Sequence, residues 1–283
     1  MISISTVAVV GAGTMGLGIA QVCAMHGYPT LLADLDEAQL KKAATTIRQQ
    51  LESLEAKGKL SKSQKEESLN RLSTTTNLTS VKADLIIEAI VERLHVKQEL
   101  FKTLERHNAG ESILASNTSS LSVTSIASVL KNPERFLGIH FFNPADRMKL
   151  VELIGANAEY LAAGREFLQT LQKTVVVAKD SPGFIVNRVA RPYYVEALRL
   201  VEEKSAEMAT IDALMQATGF RMGPFALMDL IGLDTNLAVT QSVFEGFGRH
   251  IRFLPSPIQQ RLVEQGKTGI KAGAGFYNYP GKA

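Results

Sequence analysis

Over the first 180 positions, short apolar runs alternate with stretches in which apolar residues recur every three or four positions. The runs at 7–10, 30–33, 84–89 and 112–115 read as buried strands, as do Phe136-Leu137-Gly138-Ile139-His140-Phe141-Phe142-Asn143-Pro144, 148–154 and 174–178. Helical spacing fills the gaps: Ile19, Val22 and Cys23; Leu40, Ala43, Ala44, Ile47, Leu51 and Leu54; Val96, Leu100, Phe101 and Leu104; Ile126 and Val129; and a segment near 160–171. Strand and helix in alternation predict an α/β fold, a doubly wound and mostly parallel sheet. Asp180-Ser181-Pro182-Gly183 breaks the pattern, and helices alone follow, at about 184–203, 210–218 and 224–247. The chain is therefore expected to form an α/β domain over 1–180 and a smaller all-α domain over 181–283.

One helical interval is longer than a crossover needs. Asp36 with Gln39, and Ser61 with Gln64, each offer a helix start, and Lys57-Gly58 separates the two. Leu69 and Leu72 extend the second helix, so residues 36–72 predict a hairpin that projects from the sheet. Its Lys57, Lys59, Lys62 and Lys65 can meet a polyanionic ligand. Glu55, Glu66 and Glu67 are interleaved with them, as on an ordinary solvated face.

The first strand runs directly into Gly11-Ala12-Gly13-Thr14-Met15-Gly16 and then into a helix. In such a strand–turn–helix, Gly11 permits the tight turn, Gly13 admits a pyrophosphate to the backbone, and Gly16 lets helix and strand pack closely. The N–H groups of Thr14 and Met15 would face the phosphates at the positive end of the helix. The second strand ends in Asp34, at about the 20-residue offset expected of a carboxylate that takes the ribose hydroxyls of NAD. A carboxylate there would repel the 2′-phosphate of NADP. The first domain is thus expected to be a Rossmann-type NAD-binding domain.

Composition narrows the picture further. A hydrophobic fraction of 45% and a charged fraction of 21% suit a soluble globular protein. The net charge of +3 is too small to argue for nucleic acid. The single Cys23 lies in the first predicted helix, reads as a core thiol, and fits a reducing, cytoplasmic location. No apolar segment approaches a membrane span, and no metal site is expected.

Oxidising an alcohol with NAD requires a base for the hydroxyl proton. Histidine suits this role because its ordinary pKa lies near neutrality. Of five histidines, His140 alone ends an apolar strand beside a polar turn. Glu152 follows 12 residues later on the next strand, a separation that a hairpin can close. The pair reads either as an acid–base dyad or as a core histidine beside an unrelated edge carboxylate. Ser116-Asn117-Thr118-Ser119-Ser120 crowds the carboxyl end of another strand, where open α/β sheets bind ligands.

These stretches carry a resemblance. With Glu88-Ala89-Ile90-Val91-Glu92, Pro182-Gly183-Phe184-Ile185-Val186-Asn187-Arg188, Gly223-Pro224-Phe225, Gly232-Leu233-Asp234 and Gly273-Ala274-Gly275-Phe276-Tyr277, the sequence resembles the short-chain L-3-hydroxyacyl-CoA dehydrogenases over essentially its whole length, bacterial 3-hydroxybutyryl-CoA dehydrogenases above all. The resemblance implies that His140 is the base, that Glu152 orients it, and that Ser119 and Asn187 hydrogen-bond the substrate oxygen. It puts Glu92, Lys97, Ser119 and Asn143 along the nicotinamide half of NAD and Asp34 on the adenosine ribose. Coenzyme A would meet the helical hairpin through Lys57, with Gln50 standing where the family has a CoA-contacting serine. Asp146-Arg147 replaces more apolar residues of the family. The helical domain would contribute to the substrate cleft and carry a homodimer interface. Dehydrogenases of free hydroxy acids such as L-gulonate share the His-Phe-Phe-Asn-Pro arrangement and form the alternative reading.

Overall fold

The computed structural model describes residues 2–108 and 111–280, in two compact units that divide between Asp180 and Ser181. The first is built on strands β1 (Val7–Val10), β2 (Thr30–Ala33), β3 (Leu72–Thr75), β4 (Leu85–Glu88), β5 (Ile113–Ser116), β6 (Phe136–Phe141), β7 (Leu150–Ile154) and β8 (Thr174–Val177). They form one sheet in the order β3-β2-β1-β4-β5-β6-β7-β8. All neighbours pair in parallel except β6 and β7. β1, β4, β5 and β6 are buried throughout, which is why they read as unbroken apolar runs rather than alternating ones.

The crossovers are α1 (Thr14–Met25), α2 (Glu37–Ala56), α3 (Lys62–Asn70), α4 (Leu94–His107), α5 (Val123–Ala127) and α6 (Ala158–Thr170). Asp36 caps α2 by accepting from the N–H groups of Ala38 and Gln39, and Ser61 with Gln64 forms a reciprocal capping box on α3. Strand order reverses direction between β1 and β4, and the glycine turn sits at that reversal. Gly11 has φ +105°, and a Cβ on it would stand 2.6 Å from the Ala89 carbonyl oxygen, just beyond β4. Cys23 is fully buried in α1, where loss of solvation pushes its thiol up to about 12, as befits a packing residue.

Two expectations need correction here. Leu72 does not extend the second hairpin helix. α3 stops at Asn70, and Leu72 opens the edge strand β3, where it pairs with Thr30. The central residues of β3, Ser73 and Thr74, are exposed, so the strand carries no apolar signal and is recruited by the free edge of β2.

The second unit is helical: α7 (Val186–Glu202), α8 (Met208–Ala217), α9 (Pro224–Ile231), α10 (Leu233–Gly246) and α11 (Pro257–Glu264). The single helix expected over 224–247 is two. Gly232 adopts φ +99° and serves as both the end of α9 and the start of α10. Tyr194, Leu198, Ile211, Phe225, Met228 and Leu233 form the core of this unit.

Candidate active site

The turn after β1 has the shape needed by a dinucleotide phosphate. A Cβ on Gly16 would lie 1.7 Å from the Gly11 carbonyl oxygen, so α1 can approach the strand only through a glycine. Gly13 differs, because a Cβ there would meet nothing within 4 Å. The backbone at Gly13 is open to a ligand. α1 begins at that residue with no side-chain cap and no acid in its first turn, which leaves the N–H groups around Thr14 and Met15 directed at whatever anion binds.

Asp34 stands one residue past β2, half-buried. Its Oδ2 accepts from the Ala12 N–H at 2.7 Å and its Oδ1 from the Asp36 N–H at 3.0 Å. Gln39 holds the same loop from α2, donating from Nε2 to the Ala12 carbonyl oxygen at 2.9 Å. Asp34 therefore clamps the glycine turn and still presents a carboxylate with further lone pairs for hydroxyl donors. These residues fit an NAD-type dinucleotide.

His140 and Glu152 face each other across the antiparallel β6–β7 pair, in direct register. The antiparallel turn of β7 makes this possible in an otherwise parallel sheet. His140 Nδ1 lies 2.8 Å from Glu152 Oε2, with His140 5% and Glu152 1% exposed. A carboxylate at that distance accepts a hydrogen bond from Nδ1–H, which fixes the tautomer and makes Nε2 the basic nitrogen. The Phe142 ring packs 4.4 Å from the imidazole, centroid to centroid. On the other side of β6, the Asn117 Oδ1 accepts from the Phe141 N–H at 2.8 Å. The β5–β6 ladder ends at Ser116↔Gly138, so the Asn117 side chain stands in for a strand carbonyl just beyond it.

Glu88, at the end of β4, was legible in the sequence only as part of a motif. It is 0% exposed and accepts from Lys97 Nζ at 2.5 Å, Ser116 Oγ at 2.6 Å and the Ile90 N–H at 2.7 Å. Burial pushes the Glu88 carboxyl up, against Lys97 and the other donors, which favour the ionised form. Lys97, 1% exposed, also lies 3.1 Å from Glu92 Oε2. Glu92 Oε1 accepts from Thr118 Oγ1 at 2.6 Å and from the Ser119 N–H at 2.9 Å. Expected ligand residues Glu92, Lys97 and Ser119 thus belong to one network that ties the end of β4 to the loop after β5.

Other predicted residues lie on other segments. Asn143 is exposed just past β6, as are Asp146 and Arg147 in the following turn. Lys57 caps the C-terminus of α2 and is exposed, as is Gln50 on the same helix. Lys65 is taken by Glu55 at 2.6 Å. Asn187 belongs to the second unit, in the first turn of α7, half-buried, with its carbonyl accepting from Arg191 Nε. Among the described residues, no group of His, Cys, Asp and Glu could hold a metal ion, and no helix is long and apolar enough to cross a membrane.

Glycine turn, clamping carboxylate and mostly parallel sheet define a Rossmann-type NAD-binding domain, and this one also holds a buried His–Glu pair. Residues 6–181 match the family model "3-hydroxyacyl-CoA dehydrogenase, NAD binding domain", and residues 183–279 match "3-hydroxyacyl-CoA dehydrogenase, C-terminal domain". The chain belongs to the 3-hydroxyacyl-CoA dehydrogenase family. It is 48% identical over 284 residues to the 3-hydroxyadipyl-CoA dehydrogenase of Escherichia coli, covering 99% of this chain and 60% of that protein. The mitochondrial hydroxyacyl-coenzyme A dehydrogenase of Sus scrofa is 43% identical, with 98% of this chain and 92% of that protein aligned. The crystal structure of (S)-3-hydroxybutyryl-CoA dehydrogenase from Ralstonia eutropha superposes with a TM-score of 0.93 at 38% identity, covering 98% of this chain and 99% of that one. The chain spans about 60% of the length of the E. coli relative.

Proposed function

We propose that this protein catalyses the reversible, NAD-dependent oxidation of (S)-3-hydroxyacyl-CoA, 3-hydroxybutyryl-CoA in particular, to the 3-oxoacyl-CoA. The buried His140–Glu152 pair on a family-typical Rossmann sheet is the observation that carries this reading. Bound NAD supplies the hydride acceptor. His140 Nε2 takes the 3-hydroxyl proton during oxidation and returns it during reduction, while Glu152 holds the ring and balances its charge. Ser119 and Asn187 orient the substrate oxygen. Glu92, Lys97 and Asn143 serve the nicotinamide half, and Asp34 serves the adenosine ribose. The reaction needs no metal from the protein in this scheme, and residues 181–283 carry a homodimer interface in a cytoplasmic enzyme.

The thioester distinguishes this reading from that of a free hydroxy acid dehydrogenase. Following NADH absorbance with acetoacetyl-CoA and with free acetoacetate separates the two. Turnover should be strongly favoured with the CoA ester, and equal efficiency on the free acid would overturn the assignment. Lys57, exposed at the hairpin turn, supports a contact with the CoA phosphates. Lys57→Ala should raise KM for acetoacetyl-CoA more than it lowers kcat, because the contact lies away from the reacting carbon. Added salt should shrink the difference.

A further inference from the structure

Lys97 is a buried cation whose charge is already spent. Glu88 and Glu92 approach its ammonium at 2.5 and 3.1 Å, and the lysine is 1% exposed. Three groups donate to Glu88: the Lys97 ammonium, the Ser116 hydroxyl and the Ile90 N–H. Burial pushes the Glu88 carboxyl up, and the ammonium at 2.5 Å with the two other donors stabilises its ionised form against that burial. Two carboxylates and one ammonium leave one negative charge in excess. That excess emerges at Glu92, the one member of the three with an exposed side chain, 36% against 1% and 0%.

The place of this cluster matters. Glu88 ends β4 immediately beside the glycine turn, at the point where strand order reverses and where open α/β sheets bind dinucleotides. Glu92 also fixes the Ser119 N–H in the loop after β5, on the same side of the reversal as the His140 strand. Hydride must leave the carbon whose hydroxyl proton His140 receives, so the nicotinamide ring belongs on this side. Oxidised nicotinamide carries a positive charge that its reduced form lacks. We propose that Glu88, a positioning residue buried behind Lys97, supplies the excess negative charge by which the Glu88–Lys97–Glu92 cluster favours NAD+ over NADH. Without Glu88 the remaining pair, Lys97 and Glu92, is neutral. The inference rests on the dehydrogenase reading above, with the nicotinamide at the ends of β4 and β5.

Equilibrium binding of NAD+ and of NADH to the full chain, the latter by its fluorescence and the former by competition, tests it. Glu88→Gln keeps the shape and an acceptor for Lys97 but removes the charge. The ratio of the NAD+ to the NADH dissociation constant should rise by roughly fivefold or more, as expected for a unit charge acting across a partly hydrated site. The double variant Glu88→Gln/Lys97→Gln leaves Glu92 as the single net negative charge and should bring the ratio back towards wild type. Damage to the fold predicts the reverse, a double variant worse than the single one. If Glu88→Gln does not fold, Glu92→Gln removes the same charge at a more exposed position and carries the same expectation. A ratio within twofold of wild type in the single variant, or a double variant displaced as far as the single, overturns the proposal. Wild-type turnover of acetoacetyl-CoA reports on the underlying reading independently. Turnover with an unmoved ratio sinks the charge inference alone, whereas a shifted ratio without turnover sinks the dehydrogenase reading alone.

Discussion

His140 can accept a proton only as neutral imidazole, and the Glu152 carboxylate 2.8 Å from Nδ1 decides which nitrogen accepts it. Loss of a positioned acid–base group costs about 10²–10⁴ in rate. His140→Ala should lose kcat by at least that order while still binding NADH. Glu152→Gln should also lose kcat, because an amide can donate to Nδ1 and so favour the wrong tautomer. The double variant should be scarcely slower than His140→Ala under the proposed mechanism, in which the two residues act as one unit. Losses that multiply in steady-state assays would assign Glu152 to a separate task. Asp34 carries a second prediction. Its carboxylate holds the Ala12 N–H and is the proposed partner of the ribose, so Asp34→Ala should remove a ligand and loosen the glycine turn together. Hydrogen bonds to charged groups are worth about 1.5–3 kcal/mol. NADH affinity should therefore fall by about tenfold or more, and the preference over NADPH should narrow. Wild-type efficiency higher with NADPH would refute the ribose assignment.

At the scale of elements, two aspartates organise the helical unit. Asp212 in α8 accepts from the N–H groups of Phe225 and Ala226 at the start of α9 and from the Tyr277 hydroxyl. Asp229 in α9 accepts from the N–H groups of Phe276 and Tyr277 and from the Tyr279 hydroxyl, each at 2.9 Å. Burial raises both tyrosines above the ordinary phenol range, and the neighbouring carboxylates raise them further, so they remain donors at neutral pH. The glycine-rich motif before Tyr277 follows from this clamp. A Cβ on Gly275 would lie 2.0 Å from Asp229 Oδ1, inside the hydrogen-bonded cluster. Gly275→Ala should destabilise the protein by about 1–3 kcal/mol, the usual cost of forcing volume into a packed site. Urea unfolding checks this, and a midpoint equal to wild type would show that the segment yields freely.

The first unit is tied together by carboxylates that close long loops in sequence. Asp84 Oδ2 gathers the N–H and hydroxyl groups of Ser5 and Thr6, joining the chain before β1 to β4. Asp180 accepts from the Ser122 hydroxyl and the N–H groups of Val123 and Thr124, anchoring α5 to the segment after β8. Burial opposes ionisation at both sites, but these donors outweigh it and hold both carboxyls below the ordinary aspartate value. A depressed folded-state pKa gives stability that is fully present above the unfolded value, about 3.9, and is lost as pH falls through the folded one. Stability should therefore fall as the medium is acidified below about pH 4. Asp84→Asn and Asp180→Asn should each be less stable near neutrality and show a flatter acid limb. Unfolding curves measured across this range would expose the error if the variants kept the wild-type slope.

What the residues encode locally, the sequence declared by itself. Strand–helix alternation, the glycine turn, the caps Asp36 and Ser61, and the break near Asp180 all follow from side-chain periodicity or backbone freedom within a few positions. The spacing of His140 and Glu152 was readable too, and the antiparallel register puts the side chains 2.8 Å apart. Other features depend on partners distant in the chain. β3 exists because β2 offers it an edge, and its exposed Ser73 and Thr74 carry no apolar alternation. Asn117 finds the Phe141 N–H, and Glu88 finds Lys97 and Ser116, only once the parallel ladder sets their strands in register. Hydrophobic pattern dictates which residues leave water, because burial is set by each element's own apolar face. It does not dictate which buried polar groups meet, because that is fixed by strand register and crossover geometry, which only the folded sheet supplies.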